Sequence, residues 1–482
     1  MNKRAVFHLI SYLLGAIGMT MVLSLGISYA SDDPMSAIFG LALSCGITLA
    51  AAIAVWLLTR GNIELSRRDG FAITTFGWLA ASFFGALPFV FSGVIPGPIP
   101  AFFETMSGFT TTGASVLTDI EQIPRGILFW RAMTHFYGGM GVLVLCVAIL
   151  PFLKVGGMQI YRAEVPGPSK GRLTPRIAAT AKLLWGAYLL FCLLETLALR
   201  LGGMSWFDAW CHTCATMATG GFSTRTASVG AYDSAYFDTV IIVFMFIAGT
   251  NFVLHLKLLT GKPLEYFRNS EFRFYLLFWL TACLILTFNI WGVTYESFTE
   301  SLRAAFFQGT SIMTTTGFST EDFDLWPETS RILLILLMFV GGCAGSTGGG
   351  VKIIRILVGI KALFREIYRY MRPEMVRHVK IDGKSIKRDT VSNICAFLLI
   401  FVALFAGGSL IMTAFTPDLG TAVSSTIACL GNIGPGLSGV GATKNYADIP
   451  QLGQLILSML MLLGRLELYT VLVVFTPKFW KR

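Results

Sequence analysis

Long apolar runs alternate with short polar segments along the whole chain. The runs that reach the roughly 20 residues a hydrocarbon core requires of a helix are 6–30, 35–59, 70–92, 126–152, 177–202, 236–260, 273–292, 330–370 with an interruption, 391–415 and 449–476. Between them lie four apolar stretches too brief to cross: 101–109, 207–218, 302–313 and 421–430. At ~1.5 Å per residue each covers about half a bilayer and has to turn back.

Every short stretch runs into an uncharged cluster rich in glycine, threonine or asparagine: "TTTGAS" (110–115), "ATGGFS" (218–223), "TTTGFS" (314–319) and "GNIGPG" (431–436). Aligning Gly113, Gly221, Gly317 and Gly434 gives an internal period of about a hundred residues. Each unit comprises a spanning helix, a half-length helix, the cluster and a second spanning helix. The segments are then an N-terminal helix pair at 1–65 and units at 66–160, 161–262, 263–388 and 389–482. The predicted fold is an all-α integral membrane protein, a helix pair plus four repeats of spanning helix, half-length helix, loop and spanning helix.

Backbone that is not helical cannot face lipid, because each unpaired N–H or C=O costs several kcal/mol there; it must be buried in protein or line a watery cavity. Four such loops imply a shared axis. Glycine permits positive φ, so a short loop can aim successive carbonyls one way. Thr111, Thr219, Thr315 and Asn432 stand two positions before the four glycines and add oxygen without charge. A ring of neutral oxygens suits a large, weakly hydrated monovalent cation, whereas divalent ions draw carboxylates. Half-helices presenting their partially negative C-terminal ends would favour a cation further, and potassium is the natural candidate. Helix packing also recruits small residues, but it does not demand recurrence after each sub-length helix.

Composition narrows the class. Hydrophobic residues make up 54% of the 482 and charged residues 13%, with a mean hydropathy of +0.68, which excludes an ordinary soluble domain. The net charge of +10 is unevenly placed. Lysine and arginine gather on one side of the spans, most densely from Lys352 to Arg388, while Asp32, Asp33, Asp119, Glu321, Asp322, Asp324 and Asp448 fall on the other. By the positive-inside rule both termini are cytoplasmic. The charge therefore reads as topology and contact with anionic membrane lipid, with no nucleic-acid footprint. Nine cysteines lie mostly in apolar runs (Cys45, Cys146, Cys192, Cys283, Cys395) and act as small hydrophobes rather than a disulfide framework. "CHTC" (211–214) lacks a second Cys/His pair and reads as packing, and His135 and His255 as satisfied helix histidines. Lys3 and Arg4 before an apolar stretch ending "SYASDD" resemble a signal peptide, but the stretch exceeds the ~7–15 residues of such a core and further spans follow.

The four clusters, the N-terminal pair, "SRRDGF" (66–71), "YRAEVPGP" (161–168), "LTPRIA" (173–178) and "LGRLELY" (463–469) resemble the membrane subunits of bacterial Trk potassium uptake systems, within the Trk/Ktr/HKT superfamily. The resemblance covers nearly the whole chain. It implies that the four units are fused, K+-channel-like, pseudo-fourfold repeats of helix, pore helix, filter loop and helix around one pore, with one filter glycine each, and K+ as the transported ion. Carried over by position, the ligands are oxygens of Thr111, Thr112, Thr219, Gly220, Thr315, Thr316, Asn432 and Ile433, next to Gly113, Gly221, Gly317 and Gly434. The fourth unit departs most from "TTG", and Ala114 stands where two other units have Phe222 and Phe318.

"GGCAGSTGGGVK" (341–352) interrupts the eighth span. It is not a phosphate-binding GxxxxGK[ST], since Val351 intervenes before Lys352. So dense a glycine run breaks a helix and rearranges cheaply; close packing is the alternative. The resemblance implies an intramembrane gating loop over Gly345, Ser346, Thr347, Gly348, Gly349 and Gly350. Arg465, a basic residue deep in the final span with Glu467 nearby, is a functional candidate by its depth alone, and the resemblance implies that it holds that loop by hydrogen bonds. It also implies a cytoplasmic nucleotide-binding regulatory subunit as partner; no dinucleotide fingerprint occurs in this chain. The resulting expectation is a homodimeric K+ uptake subunit of the bacterial inner membrane, with no catalytic residues and no resident cofactor. The alternatives are a multispanning membrane enzyme, for which no converging acid, base or nucleophile is evident, a Na+-permeable relative, and an assembly protein without a pore.

Overall fold

The computed structural model describes residues 1–61, 65–141, 177–374 and 378–480. The later part of the 126–152 run, "YRAEVPGP", most of "LTPRIA" and Cys146 lie outside the described residues. The helices are α1 (Lys3–Ala30), α2 (Met35–Leu58), α3 (Arg67–Phe91), α4 (Pro98–Phe109), α5 (Arg125–Gly139), α6 (Ile177–Leu201), α7 (Trp206–Met217), α8 (Ala235–Ala248), α9 (Phe252–Leu259), α10 (Leu264–Arg268), α11 (Ser270–Ile290), α12 (Phe298–Met313), α13 (Glu328–Met338), α14 (Ile353–Met371), α15 (Arg388–Met412), α16 (Leu419–Leu430), α17 (Gln451–Arg465), α18 (Tyr469–Val474) and α19 (Pro477–Trp480). A two-stranded antiparallel hairpin, β1 (Lys380–Ile381) and β2 (Lys384–Ser385), lies between α14 and α15.

The four short apolar stretches are the helices α4, α7, α12 and α16, and the starts of α4, α7 and α16 are written locally. Proline occupies the first turn of α4, where its missing N–H costs nothing. Ser205 caps α7 through the Asp208 amide, and Asp418 caps α16 through the Thr421 amide. Ser66 and Asp69 form a reciprocal capping box at α3, and Asp69 Oδ1 also accepts from the Asn2 amide at 2.8 Å. That bond ties the start of the N-terminal pair to the first unit.

Each long helix that follows a short one packs on the next short helix: α5 on α7, α8 on α12, α13 on α16, and α17 back on α4. The loops beyond the short helices are tied in the same sequence. The Ile120 amide donates to Thr226 Oγ1 (3.0 Å), Gly230 N to Ser319 O (3.1 Å), Ser438 N to Asp324 Oδ1 (3.0 Å) and Tyr446 N to Ser115 O (2.8 Å). The last contact in each series returns to the first unit. Asp324 is part-buried in that loop, and burial raises its carboxyl above the usual range against the opposing effect of the Ser438 amide.

Among the described residues six helices are long and apolar enough to cross a membrane, or seven if α8 and α9, bent by 101°, form one span. The sequence runs at 126–152, 236–260 and 449–476 are therefore not the continuous helices expected. α5 stops at Gly139, α8 at Ala248 and α17 at Arg465, just as α13 stops at Met338. The ends of α5 and α17 lie against the short helices. A Cβ on Gly138 would collide with Phe109 O, and one on Gly464 with Leu430 O, so these ends press directly on the C-termini of α4 and α16. Glu467 and Leu468 then adopt φ of 57° and 51°, which no α-helix accommodates.

Candidate ion-binding ring

The segment after each short helix has one backbone conformation. Thr111, Thr219, Thr315 and Asn432 have φ of 52°, 54°, 61° and 55°, and Gly113, Gly221, Gly317 and Gly434 have φ of 83°, 79°, 82° and 99°. A left-handed threonine is a genuine outlier that costs on the order of 1–3 kcal/mol and marks functional sites; here it recurs at three of four matching positions. Two left-handed residues flank one central residue in every segment, the alternation that turns successive carbonyls the same way.

The glycines are also where the segments meet. A Cβ on Gly113 would strike Gly220 O; on Gly221, Thr316 O; on Gly317, Ile433 O; and on Gly434 it would lie 2.5 Å from Thr112 O. Each central carbonyl thus sits on the glycine of the preceding segment, and the fourth contact closes on the first. All of Thr111, Thr112, Thr219, Thr315, Thr316, Asn432 and Ile433 are fully buried. Thr112 and Thr316 turn their hydroxyls back to Thr110 and Thr314 at 2.8 Å. Thr111 Oγ1 and Asn432 Oδ1 have no hydrogen-bond partner among the described residues. Asn432 Nδ2 donates to Thr112 Oγ1 (3.0 Å) and Met461 O (2.9 Å), so the segment that departs from "TTG" is bonded directly to the first.

The 341–350 loop lies directly against this ring. A Cβ on Gly348 would lie 3.0 Å from Thr314 O, and one on Gly349 2.7 Å from Gly431 O; the Gly349 amide donates to Thr315 Oγ1 at 2.7 Å. Arg465 Nη1 donates to Thr347 O at 2.7 Å, and its Nη2 to Gly138 O and Gly139 O. One guanidinium thus joins the loop to the end of α5. Glu467 pairs with Arg355, and Lys352 Nζ donates to Gly348 O. A cavity of about 400 Å³ lies between the loop and the β1–β2 hairpin, lined in part by Glu271, Lys352, Arg465 and Glu467.

Charges behind the ring were missed in the sequence. Arg131 and Glu104, 3% and 0% exposed, form an ion pair at 2.7 Å. Glu104 also accepts from Ser115 Oγ (3.0 Å) and Val116 N (2.9 Å), and Arg131 Nη1 donates to Ser223 O (3.0 Å). The depth criterion that singles out Arg465 applies equally to Arg131 in the 126–152 run. CHTC is packing: Cys211 and Cys214 are buried, free and part of α7.

The family described as "TrkH: Cation transport protein" matches residues 42–482. The chain belongs to the TrkH family. The "Trk system potassium uptake protein TrkH" of Halomonas elongata is 41% identical over 486 residues, covering all of both chains. The protein of the same description from Escherichia coli K12 is 42% identical over 440 residues, 90% of this chain and 91% of the relative. The crystal structure of the potassium transporter TrkH from Vibrio parahaemolyticus superposes over all of both chains with a TM-score of 0.90 at 35% identity. This TrkH-family chain is a membrane cation transporter, not an enzyme.

Proposed function

We propose that this protein carries K+ inward across a bacterial inner membrane through the ring of residues 111–113, 219–221, 315–317 and 432–434. The observation that carries the proposal is the closed sequence of contacts between central carbonyls and glycines, built of uncharged oxygens alone. Such a ring replaces the hydration of a large monovalent ion, and four helix C-termini lead into it, adding partial negative charge. The relatives described as potassium uptake proteins support K+ as the ion.

The units at 66–160, 161–262, 263–388 and 389–482 then act as pseudo-fourfold repeats around one pore. The loop Gly345, Ser346, Thr347, Gly348, Gly349 and Gly350 closes it, with Arg465 as its fastener. Opening is a displacement of that loop driven by a cytoplasmic nucleotide-binding subunit of the Trk system, which meets the basic stretch from Lys352 to Arg388. The protein works as a homodimer with both termini cytoplasmic. Protein reconstituted with that subunit into K+-loaded vesicles should accumulate Rb+ in a manner that excess Na+ does not suppress. Equal uptake of Na+, or none of Rb+, overturns the proposal.

A further inference from the structure

The ring is not supported alike on all sides. His135, fully buried on α5, has Nδ1 2.8 Å from Gly108 O in the last turn of α4, while its Nε2 lies 3.2 Å from the Phe222 amide, just past Gly221. An N–H can only donate, so Nε2 must present its lone pair to Phe222 and the ring proton must sit on Nδ1, donating to Gly108 O. A single neutral tautomer satisfies both partners. One imidazole therefore fixes the distance between the first unit's short helix and the second unit's ring segment.

The same imidazole bears on the segment sterically. A Cβ on Gly220 would lie 2.6 Å from its Cγ and Nδ1, so the ring backs the residue whose carbonyl is seated on Gly113. The Phe222 side chain stacks against His135, centroids 4.0 Å apart and planes 30° apart, with the Arg131 guanidinium 3.5 Å from its centroid. Arg131 reaches Ser223 O as well. In the third unit the matching Phe318 meets His212 only at 5.8 Å; Ala114 and Pro435 occupy this place in the first and fourth. The clamp belongs to the second segment.

We infer that His135 is a positioning residue for ion discrimination, holding the Gly220–Phe222 backbone so that the Gly220 carbonyl keeps its place in the ring. This rests on the ring being the K+ filter. Losing the Nε2 acceptor leaves the Phe222 amide unmade in a dry interior and frees the segment to close on a smaller ion.

The test is competitive Rb+ and Na+ uptake by vesicles holding the full-length protein with its regulatory subunit. His135→Leu fills similar volume without an acceptor, whereas His135→Gln keeps an acceptor within reach of the Phe222 amide. The Leu variant should lower the Rb+/Na+ ratio roughly tenfold, as expected of one buried bond left unmade, and the Gln variant should restore most of it. If the Leu variant is not recovered folded, Phe222→Leu, which removes both stacking contacts, should lower the ratio in the same direction. An unchanged ratio in a folded variant, or equal losses for Leu and Gln, overturns the role of His135 while leaving a selective wild type and its filter intact. A wild type that does not discriminate overturns the filter proposal itself and this inference with it.

Discussion

Two kinds of glycine-rich, non-helical backbone lie side by side in the middle of this protein, and they are held in opposite ways. Each ring segment is bonded to its own short helix in one recurring register: Thr112 N to Ser107 O (2.8 Å), Gly220 N to Ala215 O (2.7 Å), Thr316 N to Ser311 O (2.8 Å) and Ile433 N to Ala428 O (2.8 Å). The 341–350 loop depends on other elements. Cys343 N donates to Gly249 O (2.8 Å), Ala344 N to Glu271 Oε1 (2.6 Å) and Phe252 N to Gly345 O (3.0 Å), while Thr347 O accepts from Arg465. The backbone register of a ring segment is set locally by its own helix, with bonds such as Phe222 N to His135 added to it, whereas a loop held chiefly by several other elements changes when any of them moves. Similar composition thus yields two modes of attachment, the local one suited to the selector and the distributed one to the displaceable closure proposed for these segments.

Breaking the ring should have the largest effect. Gly317 has φ of 82° and its Cβ position is occupied by Ile433 O. A left-handed L-residue costs ~1–2 kcal/mol before the overlap is counted, so Gly317→Ser should lower the Rb+/Na+ uptake ratio by tenfold or more on that scale. An unchanged ratio would contradict the contact as a determinant of selectivity.

Removing residues 345–349 should leave the ratio nearly intact and raise Rb+ flux without the regulatory subunit by roughly tenfold, the scale of an ordinary coupling between states. A well-folded deletion variant that stays closed would make the loop a packing element. Arg465→Gln shortens the fastener and removes its charge. With charged hydrogen bonds worth ~1.5–3 kcal/mol but only some of them lost, basal flux should rise about threefold in the same vesicles, and a fall would place Arg465 in conduction instead. The smallest change belongs to Glu271→Gln, which keeps an acceptor for Ala344 N; basal flux should move by about twofold at most, and a rise matching the loop deletion would mean that this one carboxylate fastens the whole loop.

Much of this contrast can be read from the chain. The short stretches at 101–109, 207–218, 302–313 and 421–430 became α4, α7, α12 and α16 within a few residues, because length against bilayer thickness and capping residues are local signals. The positive φ of Gly113, Gly221, Gly317 and Gly434 follows from a residue type with one outstanding conformational property. The interruption at 341–350 was equally plain from its glycines. The ends of α5, α8 and α17 were not, since apolar composition continues through them, and the approach of Gly138 and Gly464 to the last carbonyls of α4 and α16 is a distance no one-dimensional pattern contains. His135 is the satisfied helix histidine expected, but its partners, like the pairing of Glu104 with Arg131, escaped for a related reason. Glu104 and Arg131 are 27 residues apart, and His135 and Phe222 are 87 apart, so their partnership exists only once α5 is packed between α4 and α7.

The interlocked seating of carbonyl on glycine leaves no slack in any quadrant. Widening the aperture at one place displaces the neighbour, then the next, until the circuit returns to its origin. Under the proposed function its bore is one collective coordinate, shared by four stretches of a single polypeptide, and a lesion in any of them acts on every ion that passes.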